Sequence, residues 1–139
     1  MKLTERVDEI YERIGAEDNE FIKRFCRALD CIDTAVRELE LAFDDVDNGF
    51  KEGKDIRLNW ALEWLVRAKE EFAQLEIDIG STPLYKNVLA LYEYVKGLNE
   101  PVGTDVELTS HLQAIHESYV KFIMSVAVLR YSMEKPSIF

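Results

Sequence analysis

The residue types most suited to chemistry are two histidines and an acidic neighbour near the end of the chain. His111 follows Glu107 by four residues, and His116 comes five residues later. Residues four apart lie on one face of a helix, so Glu107 and His111 can share a metal ion. Because two ligands are too few for a closed zinc site, a hydrogen-bonded or interfacial histidine is the alternative. Glu107 and His111 are therefore candidate metal ligands, with an interfacial role for His111 left open.

A second acidic group crowds the end of a predicted helix and consists of Asp44, Asp45 and Asp47. Carboxylates at a helix C-terminus oppose the helix dipole at about 0.3–1 kcal/mol each. Residues that are unfavourable for the stability of their own helix, as these carboxylates are, are candidates for a functional role. The run from Asp45 to Gly49, followed by Asp55, resembles an EF-hand calcium loop but is one residue short of that pattern. The group is a candidate site for a cation or a basic partner, and a helix end neutralised by Lys51 and Lys54 is the alternative.

Sequence motifs of helical enzymes are incomplete in this chain. Arg27, Asp30 and Asp33 resemble the opening of helical chorismate mutases, which clamp a dicarboxylate, but Asp44 stands near the place of the expected second arginine. The paired Glu-x-x-His elements of ferritin-type di-iron bundles are missing. No glycine-rich phosphate loop precedes a helix, and no serine or cysteine has a recognisable catalytic partner. The sequence predicts no catalytic residue and no cofactor, which favours a non-enzymatic protein.

The elements that position these residues are predicted from the spacing of apolar side chains. Apolar residues recur at alternating steps of three and four, a pattern typical of helices packed side by side in a left-handed bundle. Two long series run without a break from Ile22 to Val46 and from Leu108 to Met133. Glycine, proline and capping residues separate the segments: Asn48-Gly49 is expected to end the second helix, and Ser81-Thr82-Pro83 is expected to begin the fourth with a hydroxyl cap and a proline at the first helical position. The sequence predicts a single domain over 1–139, with helices at about 4–14, 19–47, 55–79, 83–98 and 105–134.

Short connections favour antiparallel neighbours. The predicted fold is therefore all-α, an antiparallel up-down four-helix bundle with a short additional N-terminal helix. Small residues recur every seven positions beside the apolar stripes of the helices over 19–47 and 105–134: Ala28, Ala35 and Ala42 in one, Ser118, Ser125 and Ser132 in the other. Because small residues let helix backbones approach closely, we expect these two helices to be tightly packed antiparallel neighbours.

Composition limits the possible partners and surroundings of the protein. The 139 residues, 47% hydrophobic and 32% charged, suffice for one globular core. A net charge of −10 repels phosphate backbones, so we do not expect nucleic acid as a partner. No apolar run reaches the ~20 residues of a membrane span, and no targeting signal is visible, which predicts a cytoplasmic protein outside membranes. Cys26 and Cys31 lie about 140° apart around a helix, so we expect both to remain thiols.

More aromatic and aliphatic residues are present than the apolar stripes require, including Trp60, Trp64, Tyr92, Met124 and Val128. The N-terminal helix and the tail Ile138-Phe139 cover this surface, or a partner does. The leading prediction is a self-associating protein-interaction module, a homo-oligomer whose interface includes Trp60, Trp64 and parts of the helices over 83–98 and 105–134, with a further protein partner left open. The alternative is a site for a small ligand or metal near the short fourth helix, enzymatic or not, built from Trp60, Trp64, Tyr92 and His111.

Overall fold

The computed structural model describes residues 19–103 and 106–134. These residues are helical or irregular with no strand among them, which confirms the all-α class. The N-terminal helix predicted over 4–14, the Ile138-Phe139 tail and the Ser132 side chain lie outside what is described. Over the described ranges, every helix is too short or too polar to cross a bilayer. The elements are α1 (Asn19–Asp47), α2 (Lys51–Ala73), a 3-10 turn (Ile79–Ser81), α3 (Pro83–Lys96) and α4 (Val106–Glu134).

The helices α1 and α2 form the most closely packed pair. The ring centroids of Phe25 and Phe72 lie 5.7 Å apart, which places the start of α1 beside the end of α2. Together with an ion pair between Glu38 and Arg57, this contact fixes an antiparallel register. The register brings fully buried alanines of the two helices level with each other, Ala28 with Ala68 and Ala35 with Ala61. Side chains that end at Cβ let two helix axes approach to the close end of the ~8–10 Å range.

The expectation of tight packing between the first and last of these helices is wrong. The backbones of α1 and α4 make no extended close approach over the described residues. They meet instead through large side chains, with the rings of Phe25 and Phe122 5.7 Å apart. The serine flank of α4 faces α3, because the Asn87 side-chain amide donates a hydrogen bond to the Ser118 hydroxyl at 3.1 Å. A seven-residue spacing identifies a flank of small residues but does not identify the helix that packs against it.

Two aromatic groups hold the helices together at opposite ends of α1. Near its start, Phe25, Phe72 and Phe122 have ring centroids 5.5–5.7 Å apart in pairs. Near its end, Tyr94 lies 6.5 Å from Phe43 and 5.1 Å from the ring of His111. Pairs at these separations contribute about 0.5–1.5 kcal/mol beyond the burial of their surface. Each group therefore connects α1 to two other helices.

The helix predicted over 55–79 begins at Lys51 and ends at Ala73 in the structure. Its end is set by a Schellman motif, in which the Ile77 amide donates to the Phe72 carbonyl at 3.0 Å and the Glu76 amide donates to the Ala73 carbonyl at 3.0 Å. Glu76 adopts φ +61°, the left-handed conformation that glycine usually supplies in this motif. Because the sequence carries glutamate at this position, no glycine marks the end of the helix in the sequence.

The start of α3 follows from local sequence. The Thr82 hydroxyl accepts a hydrogen bond from the Tyr85 amide at 3.3 Å, and Pro83 occupies the first helical position. Both features were expected from the Ser-Thr-Pro run, because a hydroxyl cap and a proline at the first turn favour helix initiation. The helix ends at Lys96, two residues before the predicted end.

Candidate interaction surface

The residues Ile56, Trp60, Trp64 and Arg67 form a continuous strip along α2, which we call the tryptophan patch. Steps of four, four and three residues keep these side chains on neighbouring faces of one helix. Trp60 is 47% exposed and Ile56 is 50% exposed, although both are large apolar residues. Trp64 is half-buried and packs against the core. The patch therefore combines the Trp64 ring, which is packed against the core, with the Trp60 ring, which is exposed to solvent.

Arg67 is held beside Trp64 at the far end of the tryptophan patch. Its guanidinium carbon lies 5.3 Å from the centroid of the Trp64 ring, within the range of a cation–π interaction. The interaction keeps a positive charge next to apolar surface. Tryptophan and arginine are two of the residue types that contribute most to binding at protein interfaces.

A pocket of about 260 Å³ extends the tryptophan patch onto α1. Its charged walls carry both signs, with Arg27 and Asp30 from α1 facing Arg67 and Glu71 from α2. Cys31 also lines the pocket, and burial raises the pKa of its thiol. A thiol with a raised pKa stays protonated at neutral pH and is a poor nucleophile. The pocket therefore offers a mixed-charge contact surface and no activated cysteine.

Arg57 lies less than one turn before Trp60 and binds two carboxylates of α1. Its Nε donates to Oδ2 of Asp45 at 2.9 Å, and its Nη1 donates to Oε2 of Glu38 at 3.2 Å. The structure thus gives Asp45 a partner other than the expected Lys51 and Lys54. A Cβ at position 53 would lie 2.6 Å from Oδ2 of Asp45, so the glycine there leaves room for this carboxylate. The acidic end of α1 is anchored to α2 through one arginine.

The candidate metal ligands do not converge in the described part of the chain. No three His, Cys, Asp or Glu side chains among residues 19–103 and 106–134 are placed to hold a metal ion. Asp44 and Asp47 are exposed at the end of α1, and Glu107 is exposed on the first turn of α4. The ring of His111 is partly buried and lies against Tyr94. This geometry places the histidine in an aromatic contact between α3 and α4.

The four residues predicted for a common site are spread over three helices. Trp60 and Trp64 lie together on α2, whereas Tyr92 belongs to α3 and His111 to α4. Tyr92 is 9% exposed, and the ammonium of Lys96 lies 5.8 Å from its ring centroid. Neither Tyr92 nor His111 lines the pocket beside Trp64. The two tryptophans are thus the members of the set that share a surface.

A larger depression, of about 620 Å³, lies between α3 and α4, beside the short helix near which a ligand site was left open, but none of the four residues suggested for that site lines it. The Asn87 amide group lies at its floor and donates to the Ala114 carbonyl at 3.2 Å and to the Ser118 hydroxyl at 3.1 Å. We call this depression the α3–α4 groove. The polar Asn87 within an apolar helix and the serines spaced by seven were the available clues. These residues could not locate the groove from the sequence, because its position depends on which helices pack against each other.

Comparison with known proteins assigns no family, because no family model, curated protein or solved structure matches the chain. Function is therefore inferred from the surfaces that the fold presents. Of these, the tryptophan patch offers exposed apolar area next to paired charges. The α3–α4 groove offers a concave apolar surface with a polar floor.

Proposed function

We propose that this protein is a helical interaction module that self-associates through the tryptophan patch. The observation that carries the proposal is the 47% exposure of Trp60 beside an Ile56 that is 50% exposed. Removing such apolar surface from water stabilises an association by roughly 25 cal/mol per Å² before the costs of ordering are subtracted. Trp64 extends the same strip from a ring that is already packed on the core. Binding then orders few additional side chains.

A second copy of the chain is the partner that the charges of this face fit. Glu63 and Arg67 are exposed, lie four residues apart and carry opposite charges beside Trp60. In a two-fold pair with antiparallel α2 helices, Glu63 of one copy faces Arg67 of the other, and symmetry repeats the contact. A two-fold interface requires this kind of self-complementarity, because each subunit presents the same surface.

The proposal includes the antiparallel up-down order of the four described helices, with the N-terminal helix as an addition. The aromatic contacts at the two ends of α1 support this order. The group around Phe25 joins the start of α1 to the end of α2 and to the second half of α4. The group around Tyr94 joins the end of α1 to the end of α3 and to the start of α4. In such an arrangement the outer face of α2 lies away from the described core and is accessible to a partner.

Molar mass in solution tests the proposal directly. Light scattering on a sizing column, over loading concentrations from low micromolar to near-millimolar, compares the unmodified protein with Trp60→Glu. Val66→Glu is the matched control, because Val66 is 56% exposed on the same helix and points about 120° away from Trp60. Both variants exchange an exposed apolar residue for the same acid. Circular dichroism verifies that helical content is unchanged.

We expect the unmodified protein and Val66→Glu to be dimeric and Trp60→Glu to be monomeric. A monomer at every concentration of the unmodified protein would rule out self-association. If Trp60→Glu stayed dimeric, the interface would lie on another surface and the assignment of the tryptophan patch would be wrong. Equal weakening by both variants would indicate a general effect of added negative charge and would equally contradict the assignment.

A further inference from the structure

The α3–α4 groove has an apolar wall and an acidic rim. Ile77 and Val126 are partly exposed in its lining, beside the ring of Phe122. The exposed side chains of Glu76, Glu117 and Lys121 stand at its edge, so two acids and one base line the rim. The shape and chemistry of this surface fit an amphipathic segment that carries basic residues next to its apolar face. The sequence contains one such segment.

We infer that the α3–α4 groove is the docking site of residues 1–18 of this same chain, which precede α1 and lie outside the described residues. Leu3, Val7, Ile10 and Ile14 follow the 4-3-4 spacing of a single helical face. Three basic residues occur at helical spacing along one flank of that face: Lys2, Arg6 and Arg13. The apolar face covers the apolar wall, and the basic flank meets the acidic rim.

Charge selects the orientation of the docked segment. On a helical projection, the basic flank lies between the apolar stripe and Glu9, and the other acids, Glu5, Asp8 and Glu12, lie further round the helix. The segment therefore presents its positive charges toward Glu76 and Glu117 while its carboxylates remain in solvent. With the opposite arrangement, the acids of the segment would face the acids of the groove and oppose docking.

The dimensions of the groove and of the segment agree. From Leu3 to Ile14 a helix rises ~16 Å, and from Ala114 to Val126, the stretch of α4 that lines the groove, it rises ~18 Å. The connection Gly15-Ala16-Glu17-Asp18 spans up to ~13 Å when extended. The segment can thus turn back over the end of the structure.

The start of α1 lies close to the α3–α4 groove. Phe25, in the second turn of α1, lies 5.7 Å from Phe122, whose ring lines the groove. Ile77 and Pro83, which flank the turn before α3, line it as well. The groove involves other helices than the tryptophan patch, so this inference does not depend on self-association.

Chemical accessibility of the groove in the full chain tests the inference. Ser125 lines the groove and is exposed, and among the described residues its hydroxyl donates a hydrogen bond to the Lys121 carbonyl of its own helix, so Ser125→Cys is a conservative probe. The rate of thiol alkylation at position 125 is read by peptide mass spectrometry, which separates it from Cys26 and Cys31. Asn59→Cys, on the exposed face of α2, reports reactivity outside the groove. Lys121→Cys replaces the probe if Ser125→Cys does not fold.

Two sets of substitutions in the segment distinguish docking from a charge effect. Val7→Asp with Ile10→Asp breaks the apolar face, whereas Thr4→Asp with Ala16→Asp adds the same charge away from it. We expect the first pair to accelerate alkylation at position 125 by about tenfold, and the second pair to leave the rate unchanged. The rate at position 59 is expected to be the same in every chain.

The inference is overturned if position 125 reacts as fast as position 59 in the chain with an intact segment. It is also overturned if the two pairs of substitutions change the rate equally. Protection of position 125 that increases with protein concentration would identify a second copy as the occupant and exclude docking within one chain. Concentration-independent protection that the Val7→Asp and Ile10→Asp pair removes supports the inference.

Discussion

The ammonium nitrogen of Lys54 lies 2.7 Å from the backbone carbonyl oxygen of Leu98 and 3.2 Å from that of Lys96. Lys96 is the last residue of α3 and Leu98 lies two residues beyond it, so both carbonyls stand at the helix C-terminus, where intrahelical donors are lacking and partial negative charge collects. Lys54 is only 6% exposed, so its charge is satisfied by these oxygens inside the protein. One side chain therefore connects the first turn of α2 to the end of α3.

Replacing this lysine is expected to destabilise the protein. Lys54→Met retains most of the side-chain volume but removes two hydrogen bonds from a charged, buried donor to partly buried carbonyls, which costs about 1.5–3 kcal/mol of unfolding free energy. Lys51→Met, at an exposed position of the same turn, is expected to change stability by less than about 0.5 kcal/mol. Urea denaturation followed by circular dichroism measures both. Equal stability of the two variants would show that the Lys54 contacts contribute nothing.

The left-handed backbone at Glu76 predicts a stabilising substitution. An L-residue pays roughly 1–2 kcal/mol for this conformation, and glycine avoids most of that cost. Glu76→Gly is therefore expected to raise the free energy of unfolding by about 0.5–1 kcal/mol. Glu76→Ala removes the same charge but keeps the strain, so we expect no such gain. A gain in Glu76→Ala of the same size would assign the effect to charge and not to conformation.

The aspartates at the end of α1 are expected to respond with opposite signs to the same change of charge. Asp45→Asn weakens the contact with Arg57 and is expected to cost up to about 1 kcal/mol, because both side chains are partly exposed. Asp47→Asn removes an exposed acid that opposes the helix dipole and is expected to stabilise by about 0.3–1 kcal/mol. Thermal and urea unfolding compare the two variants. Changes of the same sign would contradict the assigned role of Arg57.

The buried hydroxyl of Tyr119 predicts a loss of stability at high pH. Its oxygen has no hydrogen-bond partner among the described residues, and burial raises the pKa of Tyr119 well above the ordinary value of 10.0. The folded chain therefore keeps a proton that the unfolded chain releases above that pH. Because the folded state then binds more protons, its stability falls as the pH increases. The contribution of Tyr119 to the free energy of unfolding is complete below about pH 10 and decreases as the pH rises above that value.

Tyr119→Phe is expected to remove this part of the alkaline decline. At neutral pH the variant is expected to gain about 1 kcal/mol, because an unpaired buried hydroxyl is eliminated. Tyr92→Phe controls for the loss of a tyrosine hydroxyl on another helix. Urea midpoints at a series of pH values from neutral to alkaline provide the measurement. Parallel declines in the unmodified protein and in Tyr119→Phe would mean that this hydroxyl does not govern alkaline stability.

The net charge of −10 predicts that the proposed dimer strengthens with salt. Two acidic copies repel each other over a Debye length of about 30 Å at 0.01 M salt, which falls to about 8 Å at 0.15 M. Apolar contacts at Trp60 are not screened in this way. Sedimentation equilibrium at the two salt concentrations measures the change. Weaker association at higher salt would instead indicate that contacts between Glu63 and Arg67 dominate the interface.

Local sequence was sufficient to predict the bounds of a helix wherever residues within or next to that helix determine where it begins and ends. The unbroken apolar series over 19–47 predicts a helix, and α1 spans Asn19–Asp47. The Asn48-Gly49 pair was expected to end it, and Gly49 adopts φ +79° there. Thr82 and Pro83 begin α3 by local capping. Each of these outcomes depends on residues within a few positions of one another, which is the range over which periodicity and capping act.

The sequence by itself therefore determined the helical class, the apolar face of each long helix and the abundance of aromatic surface around Trp60 and Trp64. The tertiary structure decided which faces meet. It paired Asp45 with Arg57, directed Lys54 to the end of α3, placed Ser118 against Asn87 and ended α2 at a glutamate in a left-handed conformation. The physical reason is that periodicity describes one helix at a time. The identity of a neighbour depends on side-chain volumes and on charges that lie far apart along the chain.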